Sequence, residues 1–183
     1  MPYPADHQDR WRQRIRPIDP TTRLPIKRLI PLVLVETLGM ALIFGIYHLL
    51  DLGRTALAPL IVPPLVTFAL VFATAHSPAS RPLRVVAAYV IAGFFGLGMV
   101  CVPGSRLLNS IIAALLTLLV MHATGAFHAP AVAVSMAAVL TEADWQDAVA
   151  AYPLLIGTAM AAVFLAWGAH KILGDDSYPD KWW

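Results

Sequence analysis

His128-Ala129-Pro130-Ala131-Val132-Ala133-Val134-Ser135-Met136-Ala137-Ala138-Val139-Leu140 is the stretch on which the fold turns. As a helix, Pro130–Leu140 covers only roughly 17 Å, against a hydrocarbon core of about 30 Å. A second stretch opens with the same dipeptide 71 residues earlier: Ala58-Pro59-Leu60-Ile61-Val62-Pro63-Pro64-Leu65-Val66-Thr67-Phe68-Ala69-Leu70. Each lies between two longer apolar runs, so the chain reads as a three-segment unit written twice. Short or proline-interrupted membrane segments at matching positions of two halves are the best sequence pointer to a transporter's binding site.

Composition agrees with a membrane reading. Of 183 residues, 58% are hydrophobic and only 13% charged, where a soluble domain is about a quarter charged. Apolar runs of about twenty residues recur along the chain. Seven of the thirteen Lys and Arg residues precede residue 30 (Arg10, Arg12, Arg14, Arg16, Arg23, Lys27 and Arg28). That stretch has no apolar core and does not read as a secretory signal. Cys101 is the only cysteine, which excludes an intrachain disulfide.

The apolar runs are Ile30–Leu50, Ala56–Thr74, Arg84–Val102, Leu107–Met121, Pro130–Leu140 and Ala148–Ile172. The first, third and sixth are comfortably long. Six segments put eleven basic residues on one side, the tail with Arg81, Arg84, Lys171 and Lys181, against Arg54 and Arg106 on the other. By the positive-inside rule both termini are cytoplasmic, and the acidic turn of Glu142, Asp144 and Asp147 lies outside. Three segments is an odd number, so the second half inserts upside down relative to the first. The expected organisation is a basic cytoplasmic tail over 1–29, a transmembrane domain over 30–173 and a short tail over 174–183. The fold class is all-α, six segments as two inverted three-segment repeats, with short, proline-headed helices at 56–74 and 126–141.

The residues that carry the repeat also resemble a known family. Thr124-Gly125-Ala126-Phe127-His128-Ala129-Pro130-Ala131-Val132-Ala133 is similar to the hallmark of the HPP family of integral membrane proteins, a His-Pro-Pro followed by small residues. Leu57-Ala58-Pro59 resembles that family's Ala-Pro-Phe-Gly-Ala segment, and Ser77-Pro78-Ala79-Ser80-Arg81-Pro82 its Ser-Pro-Leu-Ala-Gln-Pro loop. Met121-His122-Ala123-Thr124 and Tyr152-Pro153 fit in order and spacing. The chain departs in having Ala129 for the middle proline of the triplet and Ile61-Val62-Pro63 where Gly-Ala is usual. The resemblance covers about residues 30–172 and implies transport of nitrite across a membrane.

Candidate sites follow from both readings. Pro130 suits the first position of a helix, with His128 just before it and Thr124 a turn earlier. A buried helix N-terminus offers unsatisfied N–H groups and a positive partial charge to an anion. Pro59 would supply a second such end, giving a substrate site of Pro59, Thr124, His128, Ala129, Pro130 and Ser135. His128, with an ordinary pKa of about 6.5, can donate to an anion or couple a proton, or simply cap its helix. Glu36 is the one acid deep in an apolar run, and an ionisable group there is a functional hypothesis by default. Its plainer alternative is a protonated carboxyl bonded to a neighbouring helix. Thr67, Asn109, Ser110 and Thr117 either line a path or bond their own helices. Ala88, Ala92 and Gly96, and Gly157 with Ala161, form small-residue stripes that let helices approach closely.

Four histidines, His76, His122, His128 and His170, fall on the inner side, but their spacing matches no metal motif. There is no Gly-rich phosphate loop, no His-Glu-x-x-His and no pair of carboxylates within a span. The expectation is an integral membrane protein of a bacterial inner membrane, not an enzyme, without cofactor or metal. Its partners are a small inorganic anion and the lipid bilayer, with no nucleic acid, and homo-oligomerisation is open. Two other classes stay open: a membrane metalloprotein or redox protein built on the inner-side histidines, and a structural or sensory subunit whose basic tail docks a partner.

Overall fold

The computed structural model describes residues 26–49, 58–74, 77–141, 144–172, 178–179 and 181–183. Among them the regular secondary structure is all helical, with six α-helices: α1 Ile26–Leu49, α2 Val62–Ala73, α3 Pro82–Val100, α4 Arg106–Thr124, α5 Ala129–Leu140 and α6 Trp145–Ile172. Short 3₁₀ turns at Ala58–Ile61 and Pro78–Ser80 lead into α2 and α3. The expected tail over 1–29, Arg54, His76 and Glu142 lie wholly or mostly outside the described residues, and α1 begins at Ile26, four residues inside that tail.

Helix ends follow local chemistry. Ser105 caps α4, its Oγ accepting from the Leu108 N–H at 3.4 Å. At the other end Gly125 takes a left-handed conformation, φ 69°. The Gly125 N–H then reaches the His122 carbonyl and the Ala126 N–H the Met121 carbonyl, which is the Schellman closure that favours glycine. The apolar run expected to stop at Met121 therefore continues to Thr124. At 19 residues, α4 joins α3 and α6 as long and apolar enough to cross a membrane. The segments at 56–74 and 126–141 are short, as expected: α2 and α5 each have 12 residues, about 18 Å of helix.

The centre of the bundle is α3, packed against α4, α5 and α6, while α2 lies against α1 and α6 and touches α5. Val85, Ala88, Tyr89, Ala92, Gly93, Gly96 and Leu97 form its buried face. A Cβ on Gly96 would sit 2.9 Å from Ser135 Cα and 3.0 Å from the Ser135 carbonyl. The backbones of α3 and α5 thus touch, and the Ala88–Ala92–Gly96 stripe is spent inside the chain. Gly157 is exposed with nothing near its missing Cβ, so the shorter stripe marks no such contact. Leu34, Leu38, Phe94, Leu115, Leu119 and Phe164 point outward, an apolar belt suited to lipid.

The helices alternate in direction, which gives the bundle two ends. At one, the starts of α3 and α5 meet the finish of α4, with His128 bonded to Ala79. The ring of His170 near the finish of α6 lies 5.2 Å from Phe72 and 5.1 Å from Tyr178. At the other, Arg106 at the head of α4 donates to the carbonyl of Thr141 beyond α5.

Candidate functional site

His128 holds the first of these ends together. It is the N-cap of α5, in an extended conformation with φ −147° and ψ 105°. That geometry swings its ring off the helix axis and into the bundle, where it is fully buried. Nδ1 lies 3.0 Å from the Ala79 carbonyl, and Nε2 lies 3.0 Å from Thr67 Oγ1. Thr67 Oγ1 is in turn 2.7 Å from the Tyr89 hydroxyl. One imidazole therefore joins the link before α5 to the middle of α2, the turn before α3 and, through Thr67, the inner face of α3.

The partners dictate where the hydrogens are. A carbonyl only accepts, so Nδ1 carries a hydrogen and donates it to Ala79. In the neutral ring Nε2 is then an acceptor. Thr67 donates to it and accepts from Tyr89, giving one directed chain, Tyr89 to Thr67 to His128. A proton arriving at Nε2 reverses the order: Nε2–H donates to Thr67 and Thr67 to Tyr89. An imidazolium here would be a buried charge with no acid among its hydrogen-bond partners, so the neutral ring is the resting form.

The chain of hydroxyls reaches inward. Tyr89 lies seven residues past Pro82 at the head of α3, about 10 Å along the helix. It is fully buried, as is Tyr47 on α1. The Tyr47 hydroxyl donates to the Leu60 carbonyl at 3.5 Å. Thr67, Tyr89 and Tyr47 thus place buried hydroxyls of α2, α3 and α1 inside the bundle.

The turn that receives His128 is itself pinned. Ser77 Oγ accepts from the Ala79 N–H at 3.3 Å, and Ser80 Oγ pairs with Thr74 Oγ1 at 2.8 Å. The buried Tyr178 donates its hydroxyl to the Ser80 carbonyl at 3.1 Å, one peptide from the carbonyl His128 uses. The Trp182 carbonyl accepts from the Leu83 N–H at 2.9 Å, satisfying a donor in the first turn of α3. Arg81 donates to the Trp183 carbonyl at 3.0 Å, and Arg84 lies over the Trp183 ring. Tyr178, Trp182 and Trp183 strap the Ser77–Pro82 turn from outside.

The other expected site residues are dispersed. Pro130 is buried, but Ala129 and Pro59 are exposed. Thr124 is exposed at the end of α4 and donates back to Val120 at 2.8 Å. Ser135 is buried against Gly96 and spends its hydroxyl on Val132 at 2.8 Å. Glu36 is half-buried on the α1 face that carries Gly39 and Ile43, with no hydrogen bond or ion pair among the described residues. The backbone donors are few: Pro130 has no N–H, and the Ala131 N–H already serves the His128 carbonyl at 3.1 Å. Pro63 and Pro64 likewise remove two donors from the first turn of α2. Thr67 was one polar residue among several in the sequence, and Tyr89 carried no signal there beyond a hydroxyl in an apolar helix.

Among the described residues the histidines do not gather. His122 is exposed and stacks on Phe127 at 5.0 Å, His170 faces Phe72 and Tyr178, and His128 is occupied as described. Among the described residues no three His, Cys, Asp or Glu side chains are placed to hold a metal. A family model described as "HPP, transmembrane region" matches residues 21–179. Comparison with curated proteins and with solved structures gives no significant match.

Proposed function

The chain belongs to the HPP transmembrane family, and from that membership we propose that it carries a small anion across the membrane together with a proton taken up by His128. Nitrite is the first substrate to test. The observation that carries the reading is the isolation of His128: fully buried, bonded only to neutral partners and placed where the two proline-headed segments meet. Protonating it would bury an unpaired cation, which is costly. An anion binding beside it removes that cost. Proton and anion therefore favour each other's binding by the same coupling free energy. The Thr67–Tyr89 chain supplies hydroxyls that can reorient as the proton arrives.

The alternating helix directions support an inverted repeat of α1–α3 and α4–α6, with α2 and α5 as the matching short members. On this reading the prolines shape the segments and His128 supplies the charge that backbone N–H groups would otherwise give. The excess of basic residues at the His128 end favours that end as the cytoplasmic one. Glu36, on an inward face but without a partner among the described residues, has a secondary place as a proton acceptor. Transport here needs no catalytic step, and the chain is not an enzyme.

Anion uptake into proteoliposomes tests this, with nitrite, nitrate, formate and chloride compared across an imposed pH gradient. Uptake should be selective, driven by an inward proton gradient and lost in His128→Ala, with Glu36→Gln altering it less. A folded His128→Ala that keeps wild-type uptake and pH dependence would overturn the assignment.

A further inference from the structure

At the end remote from His128 two cavities share Met99 and Trp145 as a common wall. One, of about 310 Å³, is polar, with Arg106, Asn109, Thr141 and Asp144 in its lining. The other, of about 480 Å³, is an apolar groove between α3, α4 and α6, lined by Phe94, Leu116, Val149 and Tyr152 among others. We infer that together they bind one diacyl phospholipid with an ethanolamine-type headgroup, an acyl chain in the groove and the phosphate on Arg106.

The placement fits a lipid rather than a free anion. Arg106 opens α4 and Trp145 opens α6, so both stand at the ends of membrane-spanning helices, the depth of headgroups and interfacial aromatic residues. From there the groove follows α3 inward past Gly98 to Phe94, the direction an acyl chain takes. A soluble anion would have no use for that continuation. Arg106 spends one Nη1 donor on Thr141. A guanidinium has five, and the remainder suit a phosphate. Asp144 gives one oxygen to the Asp147 N–H at 2.9 Å and keeps the other. One cation and one anion in the same cavity match a headgroup that carries phosphate and ammonium, and disfavour one with net negative charge.

Gly98 keeps the groove open. It is exposed, and a Cβ there would meet nothing within 4 Å. A larger side chain at this position projects from the wall of the groove that Gly98 lines.

Native mass spectrometry and lipid analysis of protein purified in mild detergent provide the test. Wild type should keep one equivalent of phosphatidylethanolamine through washing, and after delipidation should rebind it in preference to phosphatidylglycerol. Arg106→Gln and Gly98→Leu should each reduce retention about tenfold or more. Gly98→Leu leaves the Arg106–Thr141 bond intact, so its loss of lipid cannot be put down to that bond. Wild type that retains no lipid, wild-type retention in either variant, a preference for phosphatidylglycerol, or a lipid-free dimer occupying the groove would each overturn the proposal. None of these readouts depends on anion transport.

Discussion

Thr67→Val removes one hydroxyl and should unsettle its two partners, a phenol and an imidazole. The residue is fully buried, and its Oγ1 bonds both Tyr89 at 2.7 Å and His128 at 3.0 Å. Valine nearly preserves the volume, so the loss is polar. Side-chain hydrogen bonds in membrane proteins average about 0.6 kcal/mol and reach about 1.7. Two of them give a destabilisation of roughly 1–3 kcal/mol, toward the upper end because the stranded Tyr89 and His128 atoms stay buried. Tyr89→Phe breaks only the outer bond and leaves Thr67 donating to His128, so it should cost about 0.5–1 kcal/mol. In the Thr67→Val background the Tyr89 hydroxyl has already lost this partner. Removing it there should cost little, which makes the pair non-additive by about 1 kcal/mol. Reversible unfolding in mixed micelles of increasing denaturing detergent measures all four corners of the cycle. Additive effects, or a Thr67→Val protein as stable as wild type, would refute the directed chain.

Gly96→Ala should destabilise by roughly 1–3 kcal/mol, because overpacking here meets backbone rather than a movable side chain. The new Cβ would lie 2.9 Å from Ser135 Cα; Gly98→Ala, which meets nothing, is the control and should be neutral or slightly stabilising in the same assay. Tyr178→Phe should cost about 0.5–1.5 kcal/mol through the lost bond to Ser80 and loosen the turn that receives His128, read as faster hydrogen exchange over residues 77–83. Burial pushes the Tyr178 phenol above its ordinary value of about 10. The strap's contribution is therefore complete below pH 10 and falls above it, where only a released phenol ionises. An alkaline absorbance titration should show one late phenol that Tyr178→Phe lacks.

Hydropathy made the architecture legible because a membrane leaves few alternatives. Backbone groups in hydrocarbon must bond within a helix, so apolar runs, prolines and Lys/Arg placement give six helices and the two short ones. Boundaries were less visible. Leu107–Met121 was cut at His122, yet an exposed histidine in the last turn of α4 costs little and Gly125 sets the true stop. The Ala88–Ala92–Gly96 stripe announced a close helix contact but not its partner, because small residues state a distance and not an address. The site was half legible. His128 stood out by its place before Pro130, while Thr67 and Tyr89 did not. A hydroxyl in a membrane helix most often bonds its own backbone, as Thr124, Ser135 and Thr158 do here. Nothing local distinguishes the ones that reach across.

That difference changes what the prolines mean. Read from sequence, a proline-headed helix start is an anion site because its N–H groups are unsatisfied. In the folded chain Pro63, Pro64 and Pro130 remove donors from those first turns, and the His128 carbonyl occupies the N–H of Ala131. On the proposed reading a permanent anion cradle is traded for an imidazole whose charge appears only when a proton arrives. For a carrier this distinction is functional. A site that is permanently positive holds its anion on both sides of the membrane, whereas one whose charge comes and goes with a proton can release it. Tyr178, Ser80 and Ala79 then place the carbonyl that orients His128 under the control of a segment outside the helices, so the strap and the imidazole are parts of one structural unit.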